Sequence, residues 1–300
     1  MVSSDRLLPA IGLRLLSVGL FATMNAAIKL AEVNGARLGE ILFFRQFGAA
    51  LLVTAVVASG PGLASVRTQR IGAHVGRAIV GVVSMAFTFA ALLALPLAEA
   101  ATIMFSTPIF ATVLGALVLG EPTGWRRWSA VALGFVGVLI VLRPGGHSIP
   151  LDGALYGIVA ALLTAVVFIL LRQIGRTERA QTTVWWFSVL SLVPLGIAYM
   201  LQAQAHPLAT WACLAAVGLF GGAAQLAMTS SLRRGAVSVV VPFDYSSLLW
   251  ATGYGWLLFG TLPSDTTWIG APLIVASGLY IVWREHVRRR EETRSALSEE

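Results

Sequence analysis

The chain has 300 residues, of which 57% are hydrophobic and only 12% are charged. Soluble globular proteins carry about 25% charged residues, so this composition indicates a protein whose surroundings are mostly lipid. The net charge of +7 arises from short basic runs between apolar stretches. A nucleic-acid-binding protein needs a continuous basic face on a soluble fold, so nucleic acid is excluded as a partner and a lipid bilayer is expected.

Cysteine and histidine usage argues against metal, disulfide and enzyme chemistry. Cys213 is the single cysteine, so no internal disulfide can form. The four histidines fall in predicted loops or at helix ends without metal-ligand spacing. Since no nucleophile and base converge in the sequence, we expect neither an enzyme nor a bound cofactor.

Ten apolar stretches approach the roughly 20 residues that a membrane-spanning helix needs. The third and fourth are separated only by Pro96–Leu97, which predicts a tight hairpin, and the fifth and tenth are short. In chain order the predicted helices are Leu8–Ala31, Leu38–Ser59, Gly76–Leu95, Ala98–Leu119, Trp128–Leu142, Leu151–Leu171, Thr182–Leu201, Ala209–Leu232, Ala236–Gly260 and Trp268–Trp283.

The basic residues between these stretches predict the orientation of the chain. With the N-terminus in the cytoplasm, only Arg37 and Arg143 of the 21 Lys and Arg residues fall in outside loops. Three lie within helices: Arg14, Lys29 and Arg45. The others are counted as inside, including Arg67 and Arg70 between helices two and three, Arg77 at the inner start of helix three and five arginines from Arg284 onwards. This asymmetry predicts that both termini are cytoplasmic.

Two related halves are predicted by an internal repeat. Because each half holds five helices, the second half must enter the membrane from the opposite side, which makes the repeat an inverted one. The predicted units are residues 1–145, residues 146–285 and a charged cytoplasmic tail, 286–300, expected to be a frayed helix end. The aligned pairs share one constant offset: Gly137 with Gly278, Ile140 with Ile281, Val141 with Val282, Arg143 with Arg284 and Pro122 with Pro263.

Four segments together resemble the EamA branch of the drug/metabolite transporter superfamily. They are FFRQ at Phe43–Gln46, PLAEAATIMFSTPIFATVLGALVLGEP at Pro96–Pro122, GFVGVLIVLRPG at Gly134–Gly145 and VVPFDYSSLLWATGYGWLLFG at Val240–Gly260. One departure concerns a Gly-Glu pair that family members often repeat. Gly120–Glu121 keeps it after the fourth helix, whereas Gly260 is followed by Thr261.

The resemblance implies an all-α integral membrane protein with ten helices, as two inverted five-helix repeats around a central cavity. Helices one to four and six to nine would line this cavity, with five and ten peripheral. It further implies a secondary active transporter in a bacterial-type inner membrane, either a monomer or a homodimer. The expected substrate is a small amphipathic metabolite: an amino acid, another zwitterion or anion with an amine, or a nucleoside- or flavin-like molecule. The alternative is a flippase of the same fold for lipids or lipid-linked substrates.

Ionisable side chains within the helices are candidate substrate contacts, because burying a charge in hydrocarbon is costly. Asp244 is predicted near the midplane, two residues after Pro242, and is the candidate for binding substrate or a coupling proton. The alternative is a structural ion pair with a neighbouring helix. Arg45 either grips a carboxylate or phosphate or bridges two helices. Exchange against a counter-substrate remains the alternative to proton coupling.

The other candidate site residues are polar or aromatic. Asn25 and Lys29 share one face of the first helix, although Lys29 can instead snorkel to the surface or pair with Glu32. Trp250 either stacks on a planar substrate or simply packs. Arg14 is expected to snorkel to the inner surface. The remaining candidates are Thr102 and Ser106 beside Pro108, Gln225 near the midplane of the eighth helix, and Tyr245 next to Asp244.

Overall fold

A computed structural model describes residues 4–118, 124–142, 150–175, 177–234 and 241–298. Within these ranges the chain is helical and contains no strand, which confirms the all-α class. Short 3-10 turns occur at Leu63–Val66 and Val241–Ser246. The helices are α1 (Ser4–Val33), α2 (Leu38–Ser59), α3 (Ile71–Ala94), α4 (Leu97–Met104), α5 (Thr107–Val118), α6 (Trp125–Leu142), α7 (Leu151–Ile174), α8 (Ala180–Gln202), α9 (Leu208–Arg234), α10 (Ser247–Phe259) and α11 (Asp265–Ser298).

Each predicted stretch is helical where the structure describes it. Eight spans in these ranges are long and apolar enough to cross a membrane, and α6 adds a shorter one at Trp128–Leu142. The ninth span consists of the 3-10 turn Val241–Ser246 followed directly by α10. Its predicted first residues, 236–240, lie outside the described part of the chain. α11 continues as helix through Ser298, as expected for a stretch rich in Arg and Glu, and the charged cytoplasmic tail of residues 286–300 stays a prediction.

The fourth span is broken into α4 and α5 at Phe105–Ser106. Pro108 lacks the N–H that would bond to the carbonyl of Met104. The Thr107 hydroxyl donates to that carbonyl instead, at 2.7 Å. Hydroxyl groups therefore replace the lost backbone bond, and the fourth and ninth spans share a discontinuity of the kind found near transporter binding sites.

Hydrogen bonds between loops divide the molecule into two ends. At one end, the Trp186 indole N–H donates to the carbonyl of Val66 (2.8 Å), and the Arg70 guanidinium donates to the Thr177 hydroxyl (2.8 Å). These join the loop after α2 to the first turns of α8 and to the loop after α7, all predicted to lie at the cytoplasmic side. We call this the cytoplasmic end of the molecule, following the loop charges.

The opposite end, which we call the external end, joins loops that the alternation places outside. His206 Nε2 lies 2.9 Å from a carboxylate oxygen of Glu40, and that carboxylate also accepts the backbone N–H of Gln204. The Thr210 hydroxyl donates to the carbonyl of Asn34 at 3.0 Å. Because these bonds join only loops and helix ends predicted on the same side, the helices cross the molecule in the predicted alternation.

The same helix contacts recur when each helix is replaced by its counterpart in the other half. α1 packs on α9, and α7, its counterpart, packs on α3. Likewise α2 packs on α9, and α8 packs on α3. Counterparts also meet each other, as α2 with α8 and α6 with α11. At the crossing of α2 and α9, a Cβ added to Gly48 would lie 2.5 Å from the Cα of Gly218. Small residues thus allow the backbone of a helix from one half to contact the backbone of a helix from the other half.

Candidate functional site

A cavity of about 460 Å³ lies between the two halves. It is lined by residues of the first four spans and of the sixth to ninth spans. Among the described residues, α6 and α11 contribute nothing to its wall. This is the arrangement that the resemblance implied, and it follows from the packing of α6 against α11 at the periphery.

The cavity changes character along its length. In α3 the lining runs from Arg77 and Ser84 towards the cytoplasmic end to Phe89 and Leu92 towards the external end. α4, which begins at the external end, contributes only apolar lining residues such as Leu97. The lining from α3 and α4 is therefore apolar at the external end, and the charged lining residues lie further in, which suits an amphipathic ligand.

Asp244 forms an ion pair with Arg14 across the cavity wall. Arg14 Nε donates to Asp244 Oδ1 at 2.5 Å, and Arg14 Nη2 donates to Oδ2, so both carboxylate oxygens are engaged. The side chain of Arg14 is 8% exposed and that of Asp244 is 38% exposed. The prediction that Arg14 snorkels to the surface is wrong, because its guanidinium turns inwards to the carboxylate.

The depth of Asp244 within the bilayer stays a prediction. The residue lies in the 3-10 turn Val241–Ser246, directly before α10. Of the two roles considered for Asp244, this conformation displays the ion pair, although the residue lines the cavity as well.

Arg45 and Arg77 line the cavity as two further buried arginines. Arg45 Nη1 donates to Gln46 Oε1 at 2.6 Å, and Gln46 Nε2 donates to the carbonyl of Phe187 at 3.4 Å. The guanidinium carbon of Arg77 lies 3.6 Å from the centroid of the Phe187 ring. A continuous chain of contacts thus connects the two arginines through α8.

Arg77 was missed as a site residue because, as the second residue of the predicted third helix, it was counted with the cytoplasmic basic residues. In the structure α3 begins at Ile71, so Arg77 lies within the helix and is buried. The signal was present in the sequence, since Ile71, Ala73 and Val75 extend the apolar stretch towards the N-terminus. Sequence reasoning also missed the pair of Ser84 and Thr164, whose hydroxyl oxygens lie 2.9 Å apart in the cavity wall.

Of the remaining predicted site residues, Asn25 and Gln225 line the cavity, whereas Lys29 does not. The Lys29 ammonium donates to the carbonyls of Leu92 (3.2 Å) and Leu95 at the end of α3. Carbonyl groups in the last turn of a helix lack intrahelical partners and carry partial negative charge. Lys29 therefore caps α3.

Thr102 and Ser106 are fully buried and bond to their own helix. The Thr102 hydroxyl donates to the carbonyl of Ala98 (2.8 Å), and that of Ser106 donates to the carbonyl of Ile103 (2.7 Å). Neither residue is part of the cavity lining. In this conformation both hydroxyl groups therefore donate hydrogen bonds to backbone carbonyls of the broken fourth span.

Tyr245 and Trp250 also lie outside the cavity lining. The Tyr245 ring packs edge-on against Phe105, with 5.0 Å between centroids, and its hydroxyl reaches α11 at Gly278. The Trp250 side chain contacts α1 at Gly19 and remains 46% exposed. Tyr245 thus packs against a residue that lines the cavity without lining it itself, and Trp250 faces away from the cavity.

Many helical spans around a charged cavity define a membrane carrier rather than an enzyme. A model of the EamA-like transporter family matches residues 8–143 and 151–283, one match for each half. The chain therefore belongs to the EamA-like transporter family, and the resemblance seen in its sequence is confirmed.

Proteins that are similar to this chain over nearly its full length are named as transporters of small metabolites. The riboflavin transporter of Rhizobium johnstonii is 31% identical over 272 residues, covering 90% of each chain. The pseudopaline exporter CntI of Pseudomonas aeruginosa is 26% identical over 274 residues, covering 91% of this chain and 95% of the relative. A crystal structure of a protein 21% identical in sequence has the same fold, with a TM-score of 0.64, and the match covers 94% of this chain and 98% of that one.

Proposed function

We propose that the protein is a secondary active transporter that moves a small amphipathic metabolite across the cytoplasmic membrane by alternating access. The observation that supports this most directly is the cavity, which both halves line and which combines buried charge with an apolar end. Its volume of about 460 Å³ lies within the range of small-molecule sites, about 300–1,000 Å³.

Alternating access is supported by the symmetry of the packing. Helix pairs that recur when the halves are exchanged can form two arrangements of similar energy, one open to each side. In this conformation Leu95, Leu97 and Glu99 are buried at the external end, while the Asp244 side chain at the opposite end is 38% exposed. The proposed cycle begins with the external end closed.

Within this cycle, Asn25, Arg45, Gln225 and Asp244 contact the substrate. Asp244 also exchanges a coupling proton, because it is the one acidic residue among the described lining residues. A substrate amine would have to compete with Arg14 for the Asp244 carboxylate, because both carboxylate oxygens already accept hydrogen bonds from Arg14. Relatives named for riboflavin and pseudopaline favour a metabolite carrier over a lipid flippase.

A cavity-filling substitution tests the proposal. Ala101 lines the cavity from α4, and Ala101→Trp places a large ring where the substrate would lie. Leu139→Trp is the matched control, because Leu139 lies on α6 and is exposed on the outer surface. Proteoliposomes are loaded with a metabolite extract, and metabolite exchange is followed by mass spectrometry.

We expect wild type and Leu139→Trp to exchange the same metabolites and Ala101→Trp to exchange none, although all three elute as folded protein on size exclusion. Unchanged exchange by Ala101→Trp would show that the cavity is not the transport site. If wild type exchanges no metabolite in the extract in either direction, the proposed transport function is wrong.

A further inference from the structure

Arg45 and Arg77 are buried cations without a counter-charge. Each is 8% exposed, and within the described ranges neither makes an ion pair. Arg45 Nε and both Nε and Nη1 of Arg77 are buried without a hydrogen-bond partner. Buried charges are normally paired because desolvation is costly, so two unpaired arginines in one cavity call for a ligand.

The neighbouring groups orient these cations without neutralising them. The Phe187 ring lies beneath the Arg77 guanidinium, and the Gln46 amide accepts a hydrogen bond from Arg45. Gly81 leaves room for Arg77, because a Cβ there would fall 2.7 Å from Nη1. A ring face and a neutral amide fix the geometry and leave both positive charges intact, which is preorganisation for an anion.

The charge balance of the cavity points the same way. The other charged residues described in its wall, Arg14 and Asp244, neutralise each other. Arg45 and Arg77 both line the cavity and are connected through Gln46 and Phe187. An anion held by both would supply the missing counter-charge, and the planar fork of arginine matches the oxygens of carboxylate and phosphate groups.

We propose that Arg45 and Arg77 form an oxyanion subsite that binds the carboxylate or phosphate of an amphipathic substrate. The apolar part of that substrate lies towards Phe89 and Phe105 in the external half of the cavity. This inference rests on the proposed transport function and narrows it, because it requires the cargo to carry a carboxylate or phosphate group.

Two matched probe pairs test the subsite and distinguish the two anions. Flavin mononucleotide and riboflavin differ by one phosphate, and 1-naphthylacetate and 1-naphthylacetamide differ by one carboxylate charge. Binding to the full chain in lipid nanodiscs is measured by calorimetry. We expect the anionic member of at least one pair to bind about 10- to 100-fold more tightly, the range for a charge-assisted hydrogen bond.

Arg45→Gln and Arg77→Gln are each expected to reduce that preference about tenfold, because they weaken binding of the anionic member more than binding of the neutral one. Arg126→Gln is the matched control, because Arg126 is exposed at the start of α6. Thermal unfolding of the substrate-free protein separates ligand binding from a structural role. Removing an unpaired buried charge should leave the unfolding temperature of Arg77→Gln equal to or above that of wild type, whereas loss of a structural brace would lower it.

The proposal is overturned if wild type prefers the anion in neither pair, including the case in which it binds none of the four probes. It is also overturned if both glutamine variants keep the full preference. Equal transport of neutral and anionic partners in proteoliposomes would overturn the oxyanion subsite and leave the transport function standing. The transport function fails separately, by the absence of any metabolite exchange.

Discussion

The ion pair of Arg14 and Asp244 gives the sharpest prediction about energetics and coupling. Asp244→Asn removes the carboxylate and leaves the Arg14 guanidinium, 8% exposed, without its partner. Breaking a fully buried ion pair costs about 3–5 kcal/mol, whereas an exposed pair contributes about 0–1 kcal/mol. Because the Asp244 side chain is 38% exposed, we expect the substitution to destabilise the protein by about 1–3 kcal/mol.

A matched double variant separates stability from transport. Arg14→Gln combined with Asp244→Asn removes both charges and leaves no unpaired cation, so it should recover most of the stability lost by Asp244→Asn alone. Thermal inactivation of the purified protein in nanodiscs measures this at a fixed heating rate, since membrane proteins of this kind often unfold irreversibly. If Asp244→Asn is as stable as wild type, the assigned role of the ion pair is wrong.

Transport by the same variants tests proton coupling. Uptake into proteoliposomes is measured with and without an imposed pH gradient. If Asp244 carries the coupling proton, the single and the double variant both lose the acceleration by the gradient while they retain substrate exchange. Full acceleration in the stable double variant would refute the coupling role and leave the residue with a structural one.

Two further predictions concern helix contacts. Gly48→Ala places a Cβ 2.5 Å from the Cα of Gly218, and since backbone cannot yield, we expect a loss of about 1–3 kcal/mol in thermal unfolding. Gly12→Ala, which meets nothing within 4 Å, is the control and should be neutral or slightly stabilising. Lys29→Met removes the cap of α3 and should cost about 1–2 kcal/mol while leaving substrate affinity unchanged. Loss of substrate binding in folded Lys29→Met would place this residue in the binding site.

The helices and their alternation follow from the sequence because they depend on local properties. Length and apolar content predict each span, and the basic loops predict the alternation. The discontinuities were visible too, since Pro108 and Pro242 interrupt the fourth and ninth spans. A proline disrupts its own helix wherever that helix is packed, so its effect can be predicted without knowledge of the neighbours.

The partners of the polar side chains could not be predicted, because they lie far away along the chain. Arg14 and Asp244 are 230 residues apart, and Lys29 finds the end of α3 more than 60 residues later. The same side chain can bind substrate, cap a helix or form an ion pair. The packing of the two halves decides which of these roles a side chain takes. Arg77 shows a second limit, because a predicted helix start at Gly76 rather than at Ile71 left a buried charge at the helix end, among the cytoplasmic basic residues.

Accessibility of the cavity from each side tests alternating access most directly. With Cys213→Ser as background, Ser84→Cys places one thiol in the cavity wall. A membrane-impermeant maleimide is applied to either face of oriented vesicles, with and without transported metabolite. We predict labelling from both faces, faster from the cytoplasmic face in substrate-free protein and faster from the external face when metabolite is supplied. Labelling from the same single face under every condition would contradict alternating access.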